Sequence, residues 1–129
     1  MKELFGKVGE IGQDNLIARP YPPCDVTGVV LRAVTKEGVL ARGTVLAKSR
    51  KDGKCVVLGT PAAEGEVLKA AYVLCDDTEV GKADVAAVAY RRGCFNAAAL
   101  VVADKYQMTE EDKDDLRAFG VFLHENMVM

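Results

Sequence analysis

Residues 37–58, EGVLARGTVLAKSRKDGKCVVL, decide how the rest of the chain is read. Val39, Leu40, Val45, Leu46 and Ala47 make one apolar segment, interrupted by Arg42-Gly43, and Cys55-Val56-Val57-Leu58 make a second. Two such segments joined by a polar link have the pattern of paired strands, since each strand needs apolar residues for at least one covered face. The link is Ser49-Arg50-Lys51-Asp52-Gly53-Lys54, and its Asp-Gly pair tolerates the positive φ of a tight turn. The spacing predicts a central β-hairpin with a cationic tip. Gly43 weakens a plain strand interior, so it is expected at a bulge or where another backbone comes close. The hairpin specifies a fold and carries no chemistry.

At 129 residues the chain is long enough for one domain with a core that needs neither metal nor disulfide. Half the residues are apolar, yet aromatics are only 6% and Trp is absent, so the core rests on Val, Leu and Ala. Such a core gains less per residue than an aromatic one, which leaves a role for an oligomer interface.

A net charge of −2 argues against a general nucleic-acid binder, because phosphate affinity needs clustered Lys and Arg. The two basic spots, residues 48–54 and Arg91-Arg92, are short enough to be solvated hairpin surface. No apolar run approaches the roughly 20 residues that span a bilayer, and residues 1–12 lack the apolar centre of a signal peptide. The expectation is no membrane and synthesis in a cytosol, which the resemblance described below makes that of a bacterium.

Cys24, Cys55, Cys75 and Cys94 are 31, 20 and 19 residues apart, too far in sequence for a zinc knuckle or a redox pair. They are expected to be buried, reduced and structural. His124 is the one histidine; near the chain end it reads as a surface or hydrogen-bonded residue rather than a general base. No cofactor or metal is expected.

In chain order, residues 1–26 read as an extended arm. Gly6, Gly9 and Gly12 break any helix, and Arg19-Pro20-Tyr21-Pro22-Pro23 enforces a polyproline-like backbone. The three glycines are no dinucleotide fingerprint, having no strand before them and no helix after. A single domain is expected over residues 27–129, with strands at 27–34, from Lys69 to Cys75, at 83–90 and at 121–123. Arg91-Arg92-Gly93 ends or bends the third of these. Asp76-Asp77-Thr78-Glu79 reads as a solvated acidic turn, lacking the alternating oxygen ligands of a calcium loop.

Two short helices are expected. Asn96 can cap one over Ala97-Ala98-Ala99-Leu100, and Thr109-Glu110-Glu111-Asp112 opens another through Leu116 and Phe119, which Gly120 ends in the left-handed conformation. The fold class is therefore mainly β, a β-rich α+β domain, barrel-like or sandwich-like.

The order of motifs resembles the lambda-type head decoration proteins of tailed bacteriophages. The residues that carry the likeness are Gly38-Val39-Leu40-Ala41-Arg42-Gly43-Thr44-Val45-Leu46, then Ala70-Ala71-Tyr72-Val73-Leu74 with Asp76-Asp77, then Arg92-Gly93-Cys94-Phe95-Asn96 with Ala99-Leu100, and finally Leu116-Arg117 to Gly120-Val121-Phe122-Leu123. The resemblance implies a non-enzymatic capsid-stabilising protein of the virion, a homotrimer whose partners are its own copies and the major capsid protein of an expanded head or prophage head. It implies an N-terminal segment that docks on the capsid by strand pairing. The arm's composition suits that role through Leu16, Ile17, Tyr21 and Val26. Apolar residues from Val26 to Leu31 and from Val85 to Tyr90 are the expected subunit contacts, Val29, Leu31, Val85, Val88 and Tyr90 first among them.

Two other classes are weighed against this. The hairpin approach also looks like biotinyl and lipoyl carrier domains, but Lys51 and Lys54 lack the sequence context of a modified lysine. An enzyme would use Cys94 or His124 with Arg91 and Arg92, and a selective low-pKa thiol at Cys94 would mark it.

Overall fold

The computed structural model describes residues 16–19 and 23–124. Strand outweighs helix at 46% to 12%, so the chain is mainly β, and five strands close into a barrel rather than stacking as a sandwich. These are β2 (Asp25–Leu31), β4 (Val45–Ser49), β5 (Cys55–Val57), β6 (Leu68–Leu74) and β8 (Val85–Asn96), in the order β8-β2-β5-β4-β6 with β6 returning to β8. β1 (Ile17–Arg19) and β9 (Val121–His124) flank the far end of β8, the first antiparallel and the second parallel to it. β3 (Gly38–Leu40) and β7 (Thr78–Val80) form a separate ribbon. The α-helix α1 (Glu110–Phe119) joins β8 to β9 and is the one α-helix among the described residues.

Alternation along the strands builds two cores. Leu31, Leu46, Leu74 and Ala89 point into the barrel, with Val29 and Cys55. Val45, Ala47, Ala70 and Val73 point outward and are covered by Leu116 of α1, Val121, Phe95 and Leu16. Strands covered on both faces read as unbroken apolar runs, which is why β4 and β6 show little polar alternation. Where Leu46 pairs Tyr72 and Ala47 pairs Ala70, the skipped Ala71 is a bulge. It resets the phase of β6, so that Ala70 and Val73 face out while Tyr72 and Leu74 face in.

The central hairpin is present in its second half only. β4 pairs β5 through Leu46 with Val57, Ala47 with Val56 and Lys48 with Cys55. Its tip is held by Gly53 N donating to Ser49 O at 3.0 Å and Lys54 N donating to Asp52 Oδ1 at 2.9 Å. Val39 and Leu40 belong instead to the ribbon, opposite Glu79 and Thr78, so part of the expected acidic turn is strand. Gly43 separates the two halves: its φ is +97°, and a Cβ there would lie 3.2 Å from Ala99 O and 3.3 Å from Leu16 Cδ1. The expected close approach of another backbone is thus what occurs.

Other boundaries move because of partners distant in sequence. β2 begins at Asp25 and stops at Leu31, and β6 begins at Leu68. β8 does not end at Gly93 but bends there, leaving β2 and β6 to run between β1 and β9. The first expected helix is a three-residue 3-10 turn, Ala97–Ala99, with Asn96 capping as expected by accepting from Ala98 N at 3.1 Å. It cannot lengthen because Val101 N donates to Gly43 O at 3.0 Å and Val101 O accepts from Val45 N at 2.8 Å, pulling the chain straight.

α1 forms as its sequence predicts. Thr109 Oγ1 accepts from Asp112 N at 3.1 Å, Asp112 Oδ2 accepts from Thr109 N at 3.0 Å, and Gly120 ends the helix at φ +106°.

Candidate interaction surfaces

The register of β2 against β8 sets Val26 opposite Tyr90, Gly28 opposite Val88 and Val30 opposite Ala86. These pairs share the barrel's outer side. Val26, Val30 and Val88 are 48%, 42% and 46% exposed, and Gly28 and Ala86 between them are exposed too. The result is an apolar strip about two strands wide. At its Val26 end, Asp25 Oδ2 accepts from Arg91 Nε at 2.8 Å, and that bond holds the Asp25 carboxyl below its usual range.

Tyr90 shares this side but is buried. Its ring lies 5.2 Å from that of Phe95, and the Arg42 guanidinium covers it at 5.5 Å. Arg42 Nη1 also donates to Tyr90 Oη at 2.8 Å and to Cys75 O at 2.9 Å, tying β8, β6 and the turn before β4 together. Burial raises the Tyr90 phenol above its ordinary value, with the guanidinium opposing.

Of the other expected subunit contacts, Leu31 and Val29 are inside the barrel, Val85 is half-buried beside them, and Val88 is on the open strip. The strip's remaining members, Val30 and Ala86, lie within the two expected stretches and pair with each other. Burial alternates along β2, but its sequence, Asp-Val-Thr-Gly-Val-Val-Leu, does not, so the phase comes from pairing with β8.

In the N-terminal segment, Leu16 is 2% exposed, packed in the outer core, while Ile17 is exposed on β1. β1 hydrogen-bonds β8 along one edge, Asn96 N donating to Leu16 O at 2.8 Å; among the described residues its other edge pairs with no strand. Tyr21 and the glycines at 6, 9 and 12 lie outside the described residues.

The residues weighed for chemistry do not converge. Cys94, buried on β8, is opposite Phe122, whereas His124 is opposite Asn96 and accepts at Nε2 from Arg19 Nη2 at 3.0 Å. All four cysteines are free thiols. Cys55 and Cys94 are buried and Cys75 is half-buried, but Cys24 is exposed, because it precedes β2 on the surface beside Gly93. Among the described residues no three His, Cys, Asp or Glu side chains are grouped to hold a metal, and no helix is long and apolar enough to cross a membrane. Of the tip lysines, Lys54 is ion-paired to Asp84 at 2.5 Å and Lys51 is exposed.

A second polar cluster escaped the sequence reading. Glu66 Oε2 accepts from Arg32 Nη2 at 2.5 Å and from Ser49 Oγ at 2.6 Å, and Oε1 accepts from Ala63 N at 3.1 Å. These donors, Arg32 first, hold its carboxyl down at about 2. The cluster fastens the segment before β6 to β2 and β4, and no local pattern in sequence announces it.

Compared with known families, residues 22–121 match the model of the bacteriophage lambda head decoration protein D. No curated protein matches the chain.

Proposed function

Because the chain belongs to the bacteriophage lambda head decoration protein D family, we propose that it is a structural, non-enzymatic protein that binds the outer surface of an expanded phage or prophage head as a homotrimer and stabilises the shell. The observation that supports the assembly is the open valine strip of β2 and β8, since a contiguous apolar patch rimmed by polar residues marks an interaction site. Val26, Val30 and Val88 are the side chains free to meet another copy, with Val85 at their margin. Leu31 and Val29 support the strip from inside the barrel, and Tyr90, buried on the same side, closes its Val26 end.

The capsid contact is assigned to the N-terminal segment, residues 1–26, with Ile17 and β1, one edge of which pairs with no strand among the described residues, as the described part. An extended segment of the major capsid protein adds there as a strand, its main-chain groups pairing with that edge. Anything that binds the assembled shell and not its parts shifts the equilibrium toward the shell. Three copies in one trimer make the attachment multivalent, so contacts that are weak singly hold firmly together.

The test is to add purified protein to undecorated expanded heads and image them. Density at local threefold positions, with heads that survive low ionic strength longer, is expected. Heads that remain bare at saturating protein refute the decoration role. Light scattering showing a stable monomer at micromolar concentration refutes the trimer.

A further inference from the structure

The β3–β7 ribbon crosses the end of the barrel and leaves a cavity of about 150 Å³ beneath it. Its wall is made by Leu31 of β2, Cys55, Val56 and Val57 of β5, and Leu40 and Val80 on the underside of the ribbon. The ribbon is fixed over it at both ends, by Arg42 N donating to Asp77 Oδ1 at 2.7 Å and Val34 N donating to Gly81 O at 2.7 Å. A lid held this way cannot simply settle into the space below.

Ala33, Val34 and two polar residues, Arg32 and Thr60, complete the lining. Arg32, which follows β2, turns its guanidinium out to Glu66 at 2.5 Å and Asp52 at 3.2 Å. Nearby main-chain bonds run from Arg32 N to Cys55 O at 2.9 Å and from Thr60 N to Val57 O at 3.1 Å. Burial pushes the Cys55 thiol up to about 11, so that wall is uncharged. A trapped water needs two to four polar partners, and an apolar cavity of roughly this volume stays dry and takes up benzene instead.

We propose that this cavity is a binding site for a small aromatic molecule of benzene's size, held by dispersion and by displacement of the ring from water. The site is separate from the valine strip and does not rest on the decoration reading.

Benzene titrated into the full chain, followed by methyl NMR and calorimetry, tests it. Saturable shifts confined to the methyls of Leu31, Leu40, Val56, Val57 and Val80 are expected, with a dissociation constant on the order of 1 mM. Benzene at ten times that value raises Tm by about 5 °C. Val80→Phe fills the cavity and weakens binding at least about tenfold. Absence of saturable shifts, shifts located instead at Val26, Val30 and Val88, or undiminished affinity in folded Val80→Phe each overturn the proposal. Should Val80→Phe not fold, the location of the wild-type shifts decides.

Discussion

Two outer faces of one barrel use the same small apolar side chains and end differently. On β4 and β6, Val45, Ala47, Ala70 and Val73 are wholly covered, because the chain after β8 returns over them with Leu100, Tyr106, Met108 and Leu116. On β2 and β8, Val26, Val30, Ala86 and Val88 receive no such cover from the described residues. Burial of a valine is worth roughly 1.5–3 kcal/mol, so the first face stabilises the protomer and the second holds the same kind of free energy for association. The difference shows that an outward apolar strand face says only that a cover is needed, and not whose.

The largest effect should come from removing the cover that exists. Leu116→Ala takes the central side chain of α1 out of the outer core and should cost about 2–5 kcal/mol in urea unfolding. Val30→Ala on the open face should cost under about 0.5 kcal/mol in the dissociated protomer. Equal costs for the two at high dilution would erase the contrast between the faces.

Charge on the open face tests who covers it. Val30→Asp with Val88→Asp should reduce the proposed trimer to a monomer by light scattering, because an unpaired carboxylate resists burial in an interface. Wild-type Tm should rise with protein concentration, and the double variant's should not. A double variant that still sediments as the wild type removes this face from the contact.

Both faces rest on closure of the barrel between β2 and β5, which pair only at Leu31 and Cys55, and the Glu66 cluster braces that seam. Its carboxyl, at about 2, lies below the ordinary 4.5. A lowered carboxyl contributes stability that is fully present above the ordinary value and is lost as pH falls toward the folded one. Wild type should therefore lose stability between about pH 4.5 and 2 more steeply than Glu66→Gln, which is also less stable at pH 7. Asp25, Asp52 and Asp84, also lowered, leave the variant a smaller slope of the same sign. Parallel stability–pH curves would show that the cluster does not brace the seam.

What was legible in sequence is what local chemistry decides. The Asp-Gly tip, the Thr109 capping box, Gly120 and the strands β4, β5, β6 and β9 each follow from a few adjacent residues. The ribbon, the shortened Ala97–Ala99 turn and the extension of β8 past Gly93 depend on partners tens of residues away. Val39 and Leu40 have the same apolar character in a ribbon as in a hairpin; only Gly43 beside Leu16 and Ala99 separates them. The open strip was half legible: the sequence placed apolar contacts in β2 and β8, but the phase of each strand is set by pairing. Within those stretches Leu31 and Tyr90 are therefore buried in the protomer, while Val30 is exposed.

The smallest effect concerns how firmly the covered face keeps its lid. Thr109 and Asp112 satisfy each other's free amides at the start of α1, and Tyr106 Oη donates to the same Asp112 carboxylate, fastening the helix start to the loop that precedes it. Thr109→Ala removes one acceptor and should cost about 1 kcal/mol. Because the cap touches only the lid, hydrogen exchange should quicken in α1 and β9 while the amides of β2 and β8, and the assembly's mass, stay unchanged. Faster exchange in β2 or dissociation of the assembly would mean that the two faces are coupled through the barrel wall and not independently covered.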